Sequence, residues 1–525
     1  MQTEMLHIDP KTCIDCGACV EACPVDAIRS EWDLTVDDQP YLDLNSEYFE
    51  LHPLGSAPLK PVKRLWRKAD YSGLRVAIVG SGPAAFYAAL EIQQMKGAQV
   101  DMFERLLTPY GLVRFGVAPD HPGTKSVIDS FRSLARKTNF NLHLGVEIGT
   151  DATHEELLAH HHAVIYAVGA SSDRRLCIEG EDLTGSHTAT EFVAWYNGHP
   201  DYADRTYDLS SERVVIVGSG NVALDVARIL LTDPEELDRT DIADHALDVL
   251  RTSKVQEIVV LCRRGVAQAA YTNPEMLALR DRLDIDLIID STEVATDELT
   301  ESILGAGDTE SSVRSKVAFA QEVASETVAG QRKRLVIRFL VSPTEICGTE
   351  RVESVRVTRN RLERKKDGSV TPVPTEMTES IETGLVLRAI GYRGVPMPGV
   401  PFDDDRGVIP NVAGRVVDPE IGETIPGIYA TGWIKRGPSG VIGTNRKCAT
   451  DTVDLLLQDY LAGKLPTPQH DSNSLTALIS ARQPETVDFA GWARIDKAET
   501  AAGRLRNRPR VKFVDTKSIM DILHD

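Results

Sequence analysis

The sequence predicts an α/β fold: two similar parallel-sheet domains in one chain, behind a small α+β module of different composition. Two observations predict the domains. One pattern occurs twice, as "LRVAIVGSGPAAFYAALEIQQ" from Leu74 and "ERVVIVGSGNVALDVARILL" from Glu212, each a continuous apolar run, a glycine turn and then helix-forming residues. Each copy then runs on to a further strand with a charged end, as Rossmann-like nucleotide-binding domains do. A composition break predicts the leading module. Residues 1–59 hold twelve Asp or Glu against two Lys or Arg, and the basic segment "LKPVKRLWRKADYSGLR" that follows carries prolines and reads as a linker.

The module, residues 1–58, contains "KTCIDCGACVEACPVDAI", Lys11 to Ile28. Cys13, Cys16 and Cys19 follow one another at two-residue spacings, and Cys23 is followed by Pro24. A run C-x2-C-x2-C-x3-C-P supplies three thiolates to one iron–sulfur cluster and a fourth to another. Zinc is the alternative for any C-x2-C, but zinc ribbons separate their pairs by a longer loop, so an iron–sulfur site of the 4Fe–4S type is the better reading. No second run supplies the complementary ligands. The remaining cysteines, Cys177, Cys262, Cys347 and Cys448, are scattered singly. That pattern argues for a reducing, cytoplasmic compartment and against a redox-active cysteine pair beside a flavin.

After the linker, residues 59–73, a first nucleotide-binding segment is expected over 74–172. Its turn holds Gly80 and Gly82, with Ala85 at the third glycine position, and its next strand, "AQVDMFERL", ends in Glu104. An acidic side chain there accepts hydrogen bonds from ribose hydroxyls, which suits FAD. The second domain is expected over 173–384. Its turn holds Gly218 and Gly220, with Ala223 in third place, and its later strand "EIVVLCRRG" ends in Arg263 and Arg264. Arginines there pair with a ribose 2'-phosphate, which suits NADPH. Both turns need glycine because a residue without Cβ lets backbone approach a pyrophosphate at the positive end of a helix.

Between Ser291 and Arg334 the polar stretch "DELTESILGAGDTESSVRSK" reads as an exposed helical insertion or loop. Residues 385–525 are expected to return to the first domain, with strands in "LVLRAIGYRG" and "PGIYATGWI" and a helix in "CATDTVDLLLQDYL". A closing strand and helix are expected around "RPRVKFVDTKSIMDIL". Three consecutive histidines, His160 to His162, fall at an expected helix end, where side chains about 100 degrees apart cannot converge on one metal and positive charge is favourable. His121, in "GVAPDHPG", reads from its surroundings alone as a structural loop histidine.

Bulk properties exclude several classes. At 525 residues the chain exceeds the roughly 250 at which single cores stop growing. Its 42% hydrophobic and 26% charged residues are ordinary for a globular protein, and no stretch approaches the roughly 18 apolar residues of a membrane span. The start "MQTEMLHIDP" has no secretory pattern. A formal charge of -20 argues against nucleic-acid or anionic-membrane binding.

The segments "VAIVGSGPAAFYAA", "TPYGLVRFGVAPDHPGTK", "AVIYAVGA", "VVIVGSGNVALDVARILL", "CRRG", "IGYRG" and "GWIKRGPSGVIGTN" together resemble the adrenodoxin-reductase type of ferredoxin–NADP reductase. The subgroup resembled carries an N-terminal bacterial-type ferredoxin module, and the arrangement of its two nucleotide domains is glutathione-reductase-like. The resemblance implies FAD contacts at Gly80, Gly82, Ala84, Glu104, Leu112, Val146, Trp433, Gly440, Val441 and Ile442. It implies NADPH contacts at Gly220, Asn221, Val222, Arg263, Arg264, Glu275 and again Gly440. His121 matches the family's catalytic histidine near the flavin. A second glutamate that the family often places three residues after the first is Ala278 here, a departure that touches proton handling. Relatives with a fused ferredoxin carry another cysteine run before the one at Cys13, so the first half of this module is expected to be missing; the alternative is a true half-module whose cluster is lost or simplified.

The expected function is hydride transfer between NADPH and FAD, with single electrons passed to or from ferredoxin or another iron–sulfur carrier. The acidic module or carrier is expected to dock near the flavin on Lys435, Arg436, Arg446 and Lys447. Two alternatives remain: an electron-input subunit resembling the small subunit of glutamate synthase, and a non-catalytic redox sensor. No oligomeric state is written in the sequence.

Overall fold

Both apolar runs become inner strands of separate parallel sheets. The computed structural model describes residues 7–9, 13, 19, 28, 39–52 and 69–524, apart from short gaps at 281–284, 306–310, 327–329, 331 and 367. Cys16, Cys23 and most of the basic linker lie outside the described residues; Cys13 and Cys19 are exposed.

In the first sheet, strand Arg75–Val79 pairs in parallel with Gln99–Glu104 on one side and Ala163–Tyr166 on the other. Phe140–Leu144 extends one edge in parallel. Thr424–Ala430 extends the other in parallel, followed by the short antiparallel strands Arg415–Val417 and Asn411–Val412. Val76 to Val79 are buried, as expected for a parallel strand covered on both faces. One cover is helix Pro83–Ile92, whose Ala84, Ala85, Ala88 and Ala89 are small enough to let helix Ile442–Leu461 pack closely on it.

The second sheet is wholly parallel, in the order Ser186–Thr188, Leu385–Arg388, Arg213–Val217, Glu257–Cys262, Lys333–Phe339, Ile285–Ile289. A three-stranded antiparallel sheet, Val341–Cys347, Ser354–Arg364 and Val370–Glu382, grows from its end. The chain crosses between the two large units at two places. Ser172–Asp173 and Tyr392–Arg393 run antiparallel there, as a two-stranded link.

Three expectations are corrected. Strand Leu385–Arg388 does not return to the first unit: it pairs with Arg213–Val217 and Ser186–Thr188, so the second crossing follows it rather than preceding Leu385. The stretch Ser291–Arg334 is not simply exposed, because helix Ser311–Ser325 buries Val317, Ala320 and Val323 against the second sheet's core. No closing strand forms around Val511. That segment lies extended against helix Phe489–Leu505, where Val511 N–H donates to the Glu499 carbonyl and Phe513 N–H to Glu499 Oε1.

The histidine run does sit at a helix end, after His154–His160, but specific partners hold it. The His160 and His161 Nδ1 atoms bond the carbonyls of Glu156 and Leu157, and the His161 N–H donates to the Leu157 carbonyl as well. His161 Nε2 also reaches Asp101 Oδ2 at 3.1 Å. Burial opposes ionisation of Asp101, but hydrogen bonds from His143 and His161 hold its carboxyl well below the usual range.

Ion pairs fasten the units together. Arg105 meets Asp201 at 2.7 Å and Lys125 meets Asp241 at 2.6 Å. From the C-terminal segment, Lys512 reaches Asp241 at 3.3 Å and Arg508 reaches Asp244 at 2.5 Å, while within the first unit Glu499 takes Arg114 with both oxygens.

Candidate active site

The first glycine turn closes tightly on its own strand ends. Gly80 has φ +100°, and a Cβ there would stand 2.6 Å from the Ala167 carbonyl oxygen. Glu104 Oε2 accepts from Ser81 N–H at 3.1 Å and Ser81 Oγ at 2.7 Å, and Oε1 accepts from Leu106 N–H. The strand-end carboxylate is thus fixed against the turn. Val146 N–H donates to the Glu104 carbonyl, Tyr110 N–H to that of Ser81, and Gly111 approaches Gly82 closely enough to bring Leu112 beside the turn.

From the far side, Gly432 packs on Ala84, which places Trp433 at the same rim. Trp433 Nε1 donates to the Ser439 carbonyl and its ring lies 5.2 Å from that of Tyr392. Gly440 and Val441 then lead into helix Ile442–Leu461, where Val441 N–H donates to Thr444 Oγ1. The structure therefore gathers around one rim the positions from Gly80 to Ile442 at which the resemblance implies FAD contacts. A Cβ at Gly82 would meet nothing of the protein within 4 Å, and no side chain caps the helix that begins there. Open space above an uncapped helix start fits a pyrophosphate.

The second turn repeats the design. Gly218 has φ +142°, a Cβ on it would stand 2.1 Å from the Ala389 carbonyl oxygen, and Gly220 faces open space at the uncapped start of helix Asn221–Leu231. Asn221 is braced by Thr272, accepting from its N–H at 2.8 Å and donating to its Oγ1 at 3.2 Å. Arg263 and Arg264 follow strand Glu257–Cys262 and make no ion pair among the described residues. Burial and the adjacent Arg263 charge push the Arg264 guanidinium below its usual value. Two unneutralised, mutually repelling cations at a strand end fit a phosphate dianion.

The two halves meet at a cluster the sequence reading did not foresee. His121, Asp225 and Glu275 bring one ring nitrogen and two carboxylate oxygens within 4.8 Å of one another. Arg228, one turn beyond Asp225, reaches Asp120 at 2.7 and 3.0 Å, Asp225 at 2.6 Å and Glu275 at 3.3 Å. Burial works against its charge, yet these carboxylates hold Arg228 firmly protonated. Burial raises the carboxyls of Asp225 and Glu275, each also raised by a neighbouring carboxylate. Arg228 already supplies the positive charge a metal would bring. Ala278 is exposed, and the carboxylates beside His121 are those of Asp225 and Glu275. The available signal was the pair Asp225 and Arg228 inside the otherwise apolar helix "NVALDVARILL".

The expected docking cations separate into two kinds. Lys435 donates to the Ala413 carbonyl and Thr452 Oγ1, and Arg436 to Asn445 Oδ1 and the loop carbonyls of Gly437 and Ser439. Both brace the rim. Arg446 and Lys447 are exposed, with no ion pair among the described residues.

Two nucleotide turns meeting at one seam, one with a strand-end carboxylate and the other with unpaired arginines, define a flavoprotein oxidoreductase that uses a pyridine nucleotide. Residues 74–253 match the family "Pyridine nucleotide-disulphide oxidoreductase", and residues 6–29, which include all four clustered cysteines, match "4Fe-4S binding domain". The "Probable ferredoxin/ferredoxin--NADP reductase" of Mycobacterium tuberculosis is 45% identical over 533 residues, covering 99% of this chain and 88% of the relative. The mitochondrial NADPH:adrenodoxin oxidoreductase of Arabidopsis thaliana is 39% identical over 87% of this chain and 97% of its own length. The structure of Mycobacterium tuberculosis FprA in complex with NADPH superposes with a TM-score of 0.80 at 44% identity, covering 87% of this chain and 100% of that one. The chain belongs to the ferredoxin–NADP reductase family: it is an FAD-dependent oxidoreductase that exchanges electrons between NADPH and ferredoxin.

Proposed function

We propose the following division of labour among the residues of this reductase. The rim from Gly80 to Ile442 holds FAD, with Glu104 on the adenosine ribose and the helix starts at Gly82 and Val441 facing its anionic parts. Gly220, Asn221, Val222 and Glu275 hold NADPH, and Arg263 and Arg264 read its 2'-phosphate. Cys13, Cys16, Cys19 and Cys23 are the thiolate donors of the N-terminal module. FAD, when bound, accepts a hydride from nicotinamide and releases electrons singly. His121 lies within 4.8 Å of carboxylate oxygens of Asp225 and Glu275 at the seam, where it can pass a proton as the flavin's charge changes.

The units divide as 1–58, 59–73, a first unit of 74–172 together with the chain beyond the second crossing, and a second unit between the crossings. The partner is an acidic iron–sulfur carrier that docks on Arg446 and Lys447. The scattered single cysteines support a cytoplasmic setting. Among the described residues no helix is long and apolar enough to cross a membrane.

The observation that carries the nucleotide assignment is the unpaired state of Arg263 and Arg264 in a chain of net charge -20. The test is Arg263→Ala with Arg264→Ala. Loss of two charge-assisted contacts of about 1.5 kcal/mol or more each should raise the KM for NADPH roughly a hundredfold and leave NADH turnover unchanged. Equal loss for both nucleotides would sink the assignment.

A further inference from the structure

The arginine pair has a neighbour that no nucleotide contact explains. Strand Lys333–Phe339 leaves the second sheet through Leu340, which adopts φ +59°, a left-handed conformation uncommon for a residue with a Cβ. The strained turn brings both Leu340 backbone polar groups to use. Its N–H donates to the Arg264 carbonyl at 3.2 Å, and its carbonyl accepts from Asn360 N–H at 2.6 Å.

Asn360 is only 4% exposed. Its Nδ2 donates to the Arg263 carbonyl at 2.8 Å and to Ser342 Oγ at 2.8 Å. The turn into the antiparallel sheet thus takes up the Arg264 carbonyl through Leu340, and the sheet itself takes up the Arg263 carbonyl through Asn360. With both peptide planes pinned, the directions in which the two guanidinium side chains leave the backbone are set before any ligand arrives.

The sheet is built to present Asn360 in this way. Opposite Arg359 the register jumps, with Thr358 facing Thr378 and Asn360 facing Pro374. Three residues on one strand therefore oppose a single residue on the other. Thr358 Oγ1 donates to the Thr375 and Met377 carbonyls, and Thr375 Oγ1 donates to the Arg359 carbonyl, which locks the bulge. Bulges of this sort re-aim a side chain. Beyond it, Leu362 lies beside Gly265, the residue after the arginines.

We infer that Asn360 is a positioning residue for nucleotide selectivity: through the Arg263 carbonyl it holds the arginine pair in the geometry that distinguishes a 2'-phosphorylated nucleotide from its plain counterpart. This rests on the reading of Arg263 and Arg264 as the 2'-phosphate contacts. The adjacent pair repels itself, so an unpinned loop would relax by turning one guanidinium away, at the cost of the phosphate-bearing ligand alone.

The test is calorimetric binding of 2',5'-ADP and of ADP to the full-length, FAD-loaded protein. Asn360→Ala should weaken 2',5'-ADP roughly tenfold, the usual consequence of one lost buried hydrogen bond, and leave ADP unchanged. Should that variant fold poorly, Ser342→Ala removes only the second anchor of the same amide and should shift the ratio of the two affinities in the same direction by about threefold. A merely structural role would weaken both ligands together, and that result, or no change in either, overturns the inference. Arg263→Ala with Arg264→Ala is measured alongside: if it too leaves 2',5'-ADP binding intact, the phosphate reading itself has failed and the role of Asn360 falls with it.

Discussion

Arg228→Met asks whether the seam between the two units depends on one cation. The native side chain is 5% exposed and makes four hydrogen bonds to three carboxylates. At about 1.5–3 kcal/mol per charge-assisted bond the gross value is roughly 6–12 kcal/mol. The partners remain 18–22% exposed, so water recovers part of that when the arginine is gone. The net cost should be about 3–5 kcal/mol at pH 8, typical of removing one member of a buried ionic cluster. Divided by the unfolding entropy of a 525-residue chain, about 1.1 kcal/mol per degree, it would appear as a fall of about 3–5 °C in the thermal midpoint followed by flavin fluorescence.

The pH dependence gives the argument its sign. Asp225 and Glu275 are already raised in the folded state, so their contribution to stability is fully present below the ordinary carboxyl range and is lost as pH rises through their folded values. Asp120 runs the other way in the native protein: burial raises it, but Arg228 holds it below its usual value, so its contribution is lost as pH falls. Removing Arg228 withdraws the downward pull on all three, leaving burial and mutual repulsion. The destabilisation should therefore be smaller at pH 5.5 than at pH 8. A loss below about 1 kcal/mol, or one that grows on acidification, would refute the reasoning.

Two further predictions separate fold from ligand and local from long-range charge. Gly82→Ala should leave the thermal midpoint of FAD-stripped protein unchanged while weakening FAD at least roughly tenfold, whereas Gly80→Ala, with φ +100° and a Cβ 2.6 Å from a carbonyl oxygen, should destabilise the stripped protein as well. Identical midpoints for the two variants would contradict the geometry of the turn. Electron transfer to an external ferredoxin should slow as ionic strength rises and the screening length falls from about 30 to 8 Å, and Arg446→Ala with Lys447→Ala should flatten that dependence; an unchanged slope in stopped-flow rates would remove these two residues from the docking surface.

Local chemistry was legible in the sequence and long-range juxtaposition was not. Each glycine turn announces itself within about ten residues, because apolar strand, Cβ-free turn and helix must follow one another directly. The charged strand ends at Glu104 and at Arg263–Arg264 are read the same way. The misplaced strand Leu385–Arg388 shows the limit: a parallel strand buried on both faces is an apolar run that carries no mark of which sheet it joins. Helix Ser311–Ser325 was masked by polar neighbours, since its buried Val317, Ala320 and Val323 are too few to outweigh them. Asp120 and Arg228 are 108 positions apart, and nothing short of the folded seam pairs them. Asn360 is hidden more deeply, because its inward direction is set by a bulge rather than by strand alternation.

Positive charge in this acidic chain falls into two populations with different work. Most of the described arginines touch a carboxylate, and the buried ones, such as Arg114, Arg228 and Arg508, tie one segment or unit to another. Fixed cations of that kind are already neutralised and offer nothing to an incoming anion. Arg263, Arg264 and Arg446 are among the described arginines that make no ion pair, with Lys447 beside the last of them. Leaving a cation unpaired where carboxylates outnumber basic groups by 78 to 58 means that its surroundings keep acids away, and that a dianion or an acidic protein surface can meet it without first displacing a partner. The first pair lies beyond the C-terminal end of the second sheet's strand Glu257–Cys262, and the second lies on the helix that begins at Val441 beside Trp433. On the proposed reading, the first patch would meet the nucleotide, which exchanges electrons as a pair, and the second the acidic carrier, which exchanges them singly.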